Sequence, residues 1–337
     1  MPQRPLAPWF LAAALASCTA SPDPLANSAD STITDSAVTA EAALADTTAP
    51  ETADATAKLP PSKWLESLDA CWTDLSCKRA FVLSHGGDWT IGEGRPYDSK
   101  AAFQRALDLG ADGIKTDFLV TKDNVAVVAH SSPIEFWESK ECEGQKIEEM
   151  TAAQVTACHL FDLPEDLTPT QTYQRVDDVI EWARGKTTLM LTVKDSSAFA
   201  PAIALILAKK AEQFVHIETH FGNLALIQTL PNWAKVRYTV QIGSLSEVQA
   251  VAKLPPVLFC EMNPSYPELD AAGLQQWIAG HVHAAGMRAF VSSQKLPSVD
   301  QHKALWAAGF DVIMSYNLAN AIQARTETNA ARGVSPP

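Results

Sequence analysis

Positive charge is scarce in this chain: 26 lysines and arginines stand against 39 aspartates and glutamates, a formal net of −13. That balance argues against nucleic acid or another polyanion as a partner, since neither prefers an acidic surface. It does not exclude a small phosphodiester held in a locally basic pocket. Long apolar runs are missing too. The run Trp9–Ala16 is too short to cross a bilayer as a stable helix. No two cysteines stand in CxxC spacing, which leaves a zinc site without support. Residues 19–60 contain no aromatic residue and no apolar period. Such a stretch cannot bury enough surface to offset its ordering entropy.

What is present begins with an export signal. Arg4 is the only charge before Cys18, and small residues follow the apolar run. Leu15-Ala16-Ser17-Cys18 reads as a lipobox. On that reading residues 1–17 are a lipoprotein signal peptide and Cys18 is the lipidation site and mature N-terminus. The chain is then exported and lipid-anchored in the bacterial cell envelope. Thr19, in place of an inner-membrane aspartate signal, points to the outer membrane. The alternative is an ordinary cleaved signal peptide. Residues 18–60 read as a disordered acidic linker rich in Ala, Ser and Thr. From residue 19 on they carry seven acids and one lysine. Residues 61–337 suit one large domain. Within it Cys71 and Cys77 lie close together, as do Cys142 and Cys158, and an exported protein can oxidise such pairs. Cys260 sits in an apolar run and reads as a buried thiol. The connectivity stays open at this point.

From about residue 80, short apolar runs alternate with helical segments. Strands are expected at 80–84, 113–118, 125–130, 187–193, 214–219, 236–241, 257–261, 288–291 and 311–314. Helices are expected over 99–109, 172–183, 198–211 and 269–285. Strands alternating with helices over this length predict parallel βα units and an α/β fold, a TIM (β/α)8 barrel. The segment 125–130 is then an addition after the second strand or its continuation. In such barrels chemistry sits at the C-terminal strand ends. His85, Asp117 and His130 all fall there.

Residues 84–132 carry a more specific pattern. His85 is followed by Gly86-Gly87; Gly110-Ala111-Asp112-Gly113-Ile114 and Thr121-Lys122-Asp123 follow in order, and His130 closes the segment. In frame and spacing this resembles the N-terminal signature of the glycerophosphodiester phosphodiesterases. The likeness continues more weakly through 286–293 and 309–313, so it covers nearly all of 80–325. It implies a barrel of the phospholipase-C-like phosphodiesterase type, with His85 and His130 as the acid and base that cleave a phosphodiester. The chemistry needs a proton removed from the nucleophile, one returned to the leaving oxygen, and positive charge on the phosphoryl oxygens. Imidazoles suit the first two tasks.

The departures from that family's pattern concern the third task. The family's Arg is Gly86, its first Glu is Tyr97, its second-strand Glu is Lys115, its later Glu is Thr192, and the Asp after the second His is Ser131. Asp117 alone remains as a candidate metal ligand for calcium or magnesium. One carboxylate is too few for either ion. A divalent cation about 4 Å from Lys115 is repelled by roughly 8 kcal/mol at an effective dielectric of about 20. The expectation is therefore no cofactor in the usual place.

Three readings follow. In the first, an enzyme works without metal, with Lys115 and Lys194 as phosphate-binding cations and a small phosphodiester or phospholipid head group as substrate. In the second, the barrel is a catalytically inactive envelope binding protein. In the third, Glu218, His220 and Glu261 hold a relocated metal. Against the third stands a plain alternative: Glu218 neutralises Arg237 or Lys115. Trp89, Phe136 and Trp137 are read either as a hydrophobic mouth or as loop packing.

Overall fold

The computed structural model describes residues 70–90, 92–161, 170–254, 257–262, 269–293 and 296–334. The signal peptide, Cys18 and the linker read from the sequence lie outside the described residues.

Among the described residues there are ten strands: β1 (Phe81–His85), β2 (Gly113–Val120), β3 (Ala126–Val128), β4 (Gln174–Arg175), β5 (Thr188–Val193), β6 (Val215–His220), β7 (Arg237–Ile242), β8 (Val257–Met262), β9 (Arg288–Ser293) and β10 (Val312–Ser315). Eight of them run parallel in the order β1-β10-β9-β8-β7-β6-β5-β2, and β2 pairs back onto β1 to close the barrel. The α-helices of the described residues are α1 (Lys100–Leu109), α2 (Ala152–Ala157), α3 (Val176–Ala183), α4 (Phe199–Ala208), α5 (Leu224–Ile227), α6 (Leu245–Val251), α7 (Ala271–Trp277), α8 (Val299–Ala307) and α9 (Leu318–Ala331). The strands fall within a residue or two of their expected places. The expected helix 172–183 opens differently. Gln174 and Arg175 first pair with β3 as β4, and the helix begins at Val176.

Strand alternation divides the apolar residues into two cores. Outward residues such as Val82, Ile114, Leu189, Ile217, Val240 and Ile313 pack against the helices. Inward residues Phe81, Leu83, Met190, Phe259, Phe290, Val312 and Met314 fill the barrel floor together with Trp72. Buried on both faces, these strands read as near-continuous apolar runs, as parallel barrel strands must.

The segment 125–130 is an antiparallel addition. β3 pairs with the end of β2 through Leu119↔Val127 and Val120↔Ala126. A third small core forms over it from Val127, Ile134, Ile147, Val155, Leu160 and Tyr173, with Cys142 and Cys158 disulfide-bonded beside it. Cys71 and Cys77 form the second disulfide, and Cys260 is a buried free thiol.

Candidate active site

The polar layer of the barrel lies above the floor, at the C-terminal strand ends. Register brings Asp117 beside Thr192, Thr192 beside Glu218, and Gln241 beside Glu261. His85 ends β1 opposite Lys115 of β2. His130 arrives from the β3 addition, two residues past that strand.

Lys115 is the buried cation of this layer, its side chain 4% exposed. Its Nζ donates to Asp117 Oδ1 at 2.7 Å and to the Tyr97 hydroxyl at 3.1 Å. The Tyr97 hydroxyl donates to Asp117 Oδ2 at 3.0 Å. Lys194, one residue beyond β5, reaches Asp117 Oδ1 at 3.3 Å with its side chain 34% exposed. Burial opposes ionisation of Asp117, but Lys115, Lys194 and His130 overcome it and hold its carboxyl well below the usual range. Lys115 is held above its ordinary value: burial works against the charge, and Asp117, Asp98 and Glu218 outweigh it. Counting Lys115, Lys194 and Asp117 as ionised, the group carries one positive charge, which complements one phosphodiester.

Tyr97 is a residue of this candidate site that sequence reasoning passed over as a simple loss. Its ring contacts both imidazoles, with centroids 5.6 Å from His85 and 5.8 Å from His130. Its hydroxyl lies 3.1 Å from His85 Nδ1. The phenol has one proton, which Asp117 receives. The oxygen therefore accepts Nδ1–H from His85, and His85 Nε2 faces the Tyr316 hydroxyl at 3.2 Å. The ring fits because residue 86 is glycine. Gly86 has φ +69°, and a Cβ there would fall inside the Tyr97 ring. The Gly86 and Tyr97 departures are thus one change: the space over residue 86 is filled from residue 97. A glycine facing an aromatic at two positions of one motif was the available signal.

His130 has a different support. Its Nδ1 lies 3.2 Å from Ser131 Oγ, and that hydroxyl donates to Glu138. Glu138 was not singled out from the sequence. Both imidazoles are held neutral at neutral pH. Burial, then Lys115, push His85 well below its ordinary value, with Asp117 opposing. Burial lowers His130 to about 4, with Asp117 opposing and Lys194 and Lys115 assisting. Beside His130 opens a cavity of about 490 Å3, lined among others by Ser132, Glu148, Lys194, Ser196 and Ser197.

The remaining sequence-stated residues divide. Glu218 accepts from Thr192 Oγ1 and, at 2.8 Å, from Gln241 Nε2. Burial and the neighbouring Glu218 carboxylate push Glu261 well above the usual carboxylate range. His220 is exposed. His216 is buried in the floor against Trp72 and Phe259, with Nδ1 2.8 Å from Thr239 Oγ1. Arg237 donates to the Gln213 carbonyl rather than to Glu218. Trp89 packs on Tyr97 and Tyr316, Trp137 on Tyr97 and His130, and Phe136 on Phe161.

The donor set does not fit a divalent cation. Both oxygens of Asp117 are taken by Lys115, Lys194 and Tyr97, and an ammonium lies 2.7 Å from one of them. Among the described residues no three His, Cys, Asp or Glu side chains gather in a way that could hold a metal, Glu218, His220 and Glu261 included.

Comparison with known proteins agrees with this architecture. The model of the Glycerophosphoryl diester phosphodiesterase family matches residues 92–258. A glycerophosphodiester phosphodiesterase of Caldanaerobacter subterraneus is 40% identical over 57 residues, a stretch that spans 17% of this chain and 22% of that protein. A glycerophosphoryl diester phosphodiesterase structure from Parabacteroides distasonis superposes with a TM-score of 0.63 at 20% identity, covering 78% of this chain and 92% of that one. An Oleispira antarctica phosphodiesterase, solved with its product sn-glycerol-3-phosphate, superposes with a TM-score of 0.58 at 15% identity, covering 74% and 97%.

Proposed function

Because the chain belongs to the Glycerophosphoryl diester phosphodiesterase family, we propose that its barrel mouth hydrolyses glycerophosphodiesters or phospholipid head groups without a metal ion. His85 and His130 exchange the proton roles. The nucleophile, water or a substrate hydroxyl, gives its proton to one imidazole as its oxygen bonds to phosphorus. The other imidazole, protonated as the anionic substrate binds, gives a proton to the leaving oxygen as the second P–O bond breaks. Lys194, the more exposed cation, and the remaining Lys115 proton receive the phosphoryl oxygens. Cys18 tethers the enzyme to the cell envelope. Incorporation of labelled fatty acid that is lost in Cys18→Ser checks that tether.

One observation carries the reading. Two neutral imidazoles, each with Nδ1 against a protein hydroxyl, share one tyrosine beside a Lys–Asp–Lys group of net single positive charge. The test is hydrolysis of glycerophosphocholine and lysophospholipids by the purified protein, with and without EDTA. Turnover indifferent to EDTA and reduced by at least ~100-fold in His130→Ala is expected. Turnover abolished by EDTA overturns the metal-free mechanism. A second reading, a non-catalytic phosphodiester-binding protein, is favoured by the Tyr97 ring resting against both imidazoles. Binding of glycerophosphocholine with no turnover across the panel selects it.

A further inference from the structure

His130 stands on a loop rather than on a barrel strand, so its imidazole needs local support. Glu138, eight residues later, supplies an anchor. Its Oε1 accepts the backbone N–H of His130 at 2.8 Å and of Ser131 at 3.2 Å. Its Oε2 accepts the Ser131 hydroxyl and, at 3.3 Å, the backbone N–H of Glu135. The Glu138 carbonyl accepts from Phe161 N–H at 2.7 Å, which ties the turn to the stretch beyond the disulfide. The residue is only 6% exposed.

These bonds decide the state of the imidazole. Ser131 has one hydroxyl proton, and Glu138 takes it. The Ser131 oxygen is left as an acceptor, 3.2 Å from His130 Nδ1. The ring is thereby held as the Nδ1–H tautomer, with the Nε2 lone pair free.

We propose that Ser131 and Glu138 are the positioning pair of His130, a hydroxyl and a carboxylate in series that fix its tautomer and ring plane. The pair stands where the resembling family carries Asp directly after its second histidine. A carboxylate in direct contact with Nδ1 favours the charged imidazolium. Interposing a hydroxyl keeps the orienting bond and moves the charge away, which suits a ring that must stay a free base until substrate arrives. The same order recurs at His85, where Tyr97 stands between Nδ1 and Asp117. The proposal rests on His130 as a proton carrier in the reading above, but its main readout does not need turnover.

The experiment compares the full chain with Ser131→Ala, Ser131→Thr and Glu138→Gln. Ring-nitrogen NMR reports the tautomer, with His130 assigned by its loss in His130→Gln. The Nδ1–H form is expected to dominate in the native protein and in Ser131→Thr. In Ser131→Ala the ring is expected to move toward the Nε2–H form. With an active enzyme, kcat on glycerophosphocholine falls roughly 10-fold or more at nearly constant KM, since a wrong tautomer costs turnover rather than binding. Glu138→Gln is expected to follow Ser131→Ala, since its amide oxygen keeps the His130 and Ser131 N–H bonds but its NH2 cannot accept the Ser131 hydroxyl; if losing the Glu135 N–H bond unfolds it, Ser131→Ala decides alone. An unchanged tautomer in Ser131→Ala overturns the proposal, whether or not the protein turns over substrate. A shifted tautomer with no hydrolysis upholds it and sinks the enzyme reading instead.

Discussion

The floor and the mouth of this barrel are built from the same eight strands to opposite rules. At the floor, Trp72 meets Phe81 and Phe259 edge-on at 5.8 and 5.2 Å. One buried charge there, Arg288, is matched to its surroundings. It donates to the carbonyls of Trp72 at 3.1 Å and Asp74 at 2.7 Å, and to Asp311 at 3.1 Å. At the mouth, carboxylates crowd one buried ammonium. Burial, then repulsion from Asp117, push Asp98 well above the usual carboxylate range, and Glu261 is pushed up in the same way. Buried groups that must stay protonated weaken a fold unless something else holds them. The floor and the helix-packed outer core do the holding, and the mouth keeps its polar groups. Perturbed groups of this kind concentrate at functional sites.

Two substitutions test that division. Trp72→Ala removes the floor plug and is expected to cost about 3–5 kcal/mol, as large-to-small core changes do. Chemical denaturation should show the loss unchanged from pH 8 down to about 6.5, below which it eases as far as the missing indole lets the buried His216 take up a proton. Lys115→Met is expected to cost a similar amount, about 3–5 kcal/mol, by leaving the buried Asp117 with only the more exposed Lys194 as its cation. Its pH dependence should differ. In the native protein Asp117 is depressed, so its stabilisation is present above the unfolded carboxylate value and lost as pH falls. In Lys115→Met burial is opposed mainly by Lys194, so Asp117 rises from its depressed position, and the penalty is greatest near neutral pH and shrinks as pH falls through the new value. Equal pH profiles for the two variants would erase the distinction between floor and mouth.

The floor was the more legible half. Apolar runs that alternate with helical segments call for a parallel sheet covered on both faces, and eight of them suit a closed barrel. The strand ends placed His85, Lys115 and Asp117 together for the same reason. Lys194 also meets Asp117, since it follows β5 at the same rim. What stayed hidden depended on loops and on pairs far apart in sequence. Tyr97 reads as a lost carboxylate until its ring is seen over Gly86. Glu138 reads as one acid among several until its side chain turns back onto His130 and Ser131. The run His216-Ile217-Glu218-Thr219-His220 alternates along one strand, but the alternation does not show that His216 belongs to the floor, Glu218 to the polar layer and His220 to the surface. The strand addresses were periodic; the contacts were not.

Acid should weaken the protein through buried imidazoles at both levels, His216 in the floor, pushed down to about 3, and the two at the mouth. His130 is depressed from its ordinary 6.5 to about 4. The unfolded chain therefore binds a proton that the native site refuses. Its stabilisation is complete above pH 6.5 and is lost as pH falls toward 4. Discounted for partial exposure, the loss is about 2 kcal/mol. His85, also depressed, adds in the same direction. Denaturation midpoints at pH 7.0, 5.5 and 4.5 should fall less steeply for His130→Gln than for the native chain. Parallel curves would mean that His130 keeps its proton in the folded protein.

The smallest effect is the most specific to this chain. Gly86→Ala places a methyl group inside the Tyr97 ring at a backbone angle that disfavours a side chain. Overpacking of this kind costs about 1–3 kcal/mol. Part of that cost comes from the ring and part from φ. In a Tyr97→Ala background the ring part disappears and the backbone part remains. A double-mutant cycle should therefore return a coupling of about 1–2 kcal/mol, with Gly86→Ala less costly when Tyr97 is absent. A coupling near zero would separate the two departures and leave Tyr97 as packing that happens to lie near a glycine. A clear coupling would mean that the mouth was rebuilt by a paired exchange, with the phenol hydroxyl set between His85, Lys115 and Asp117 because residue 86 gave up its side chain.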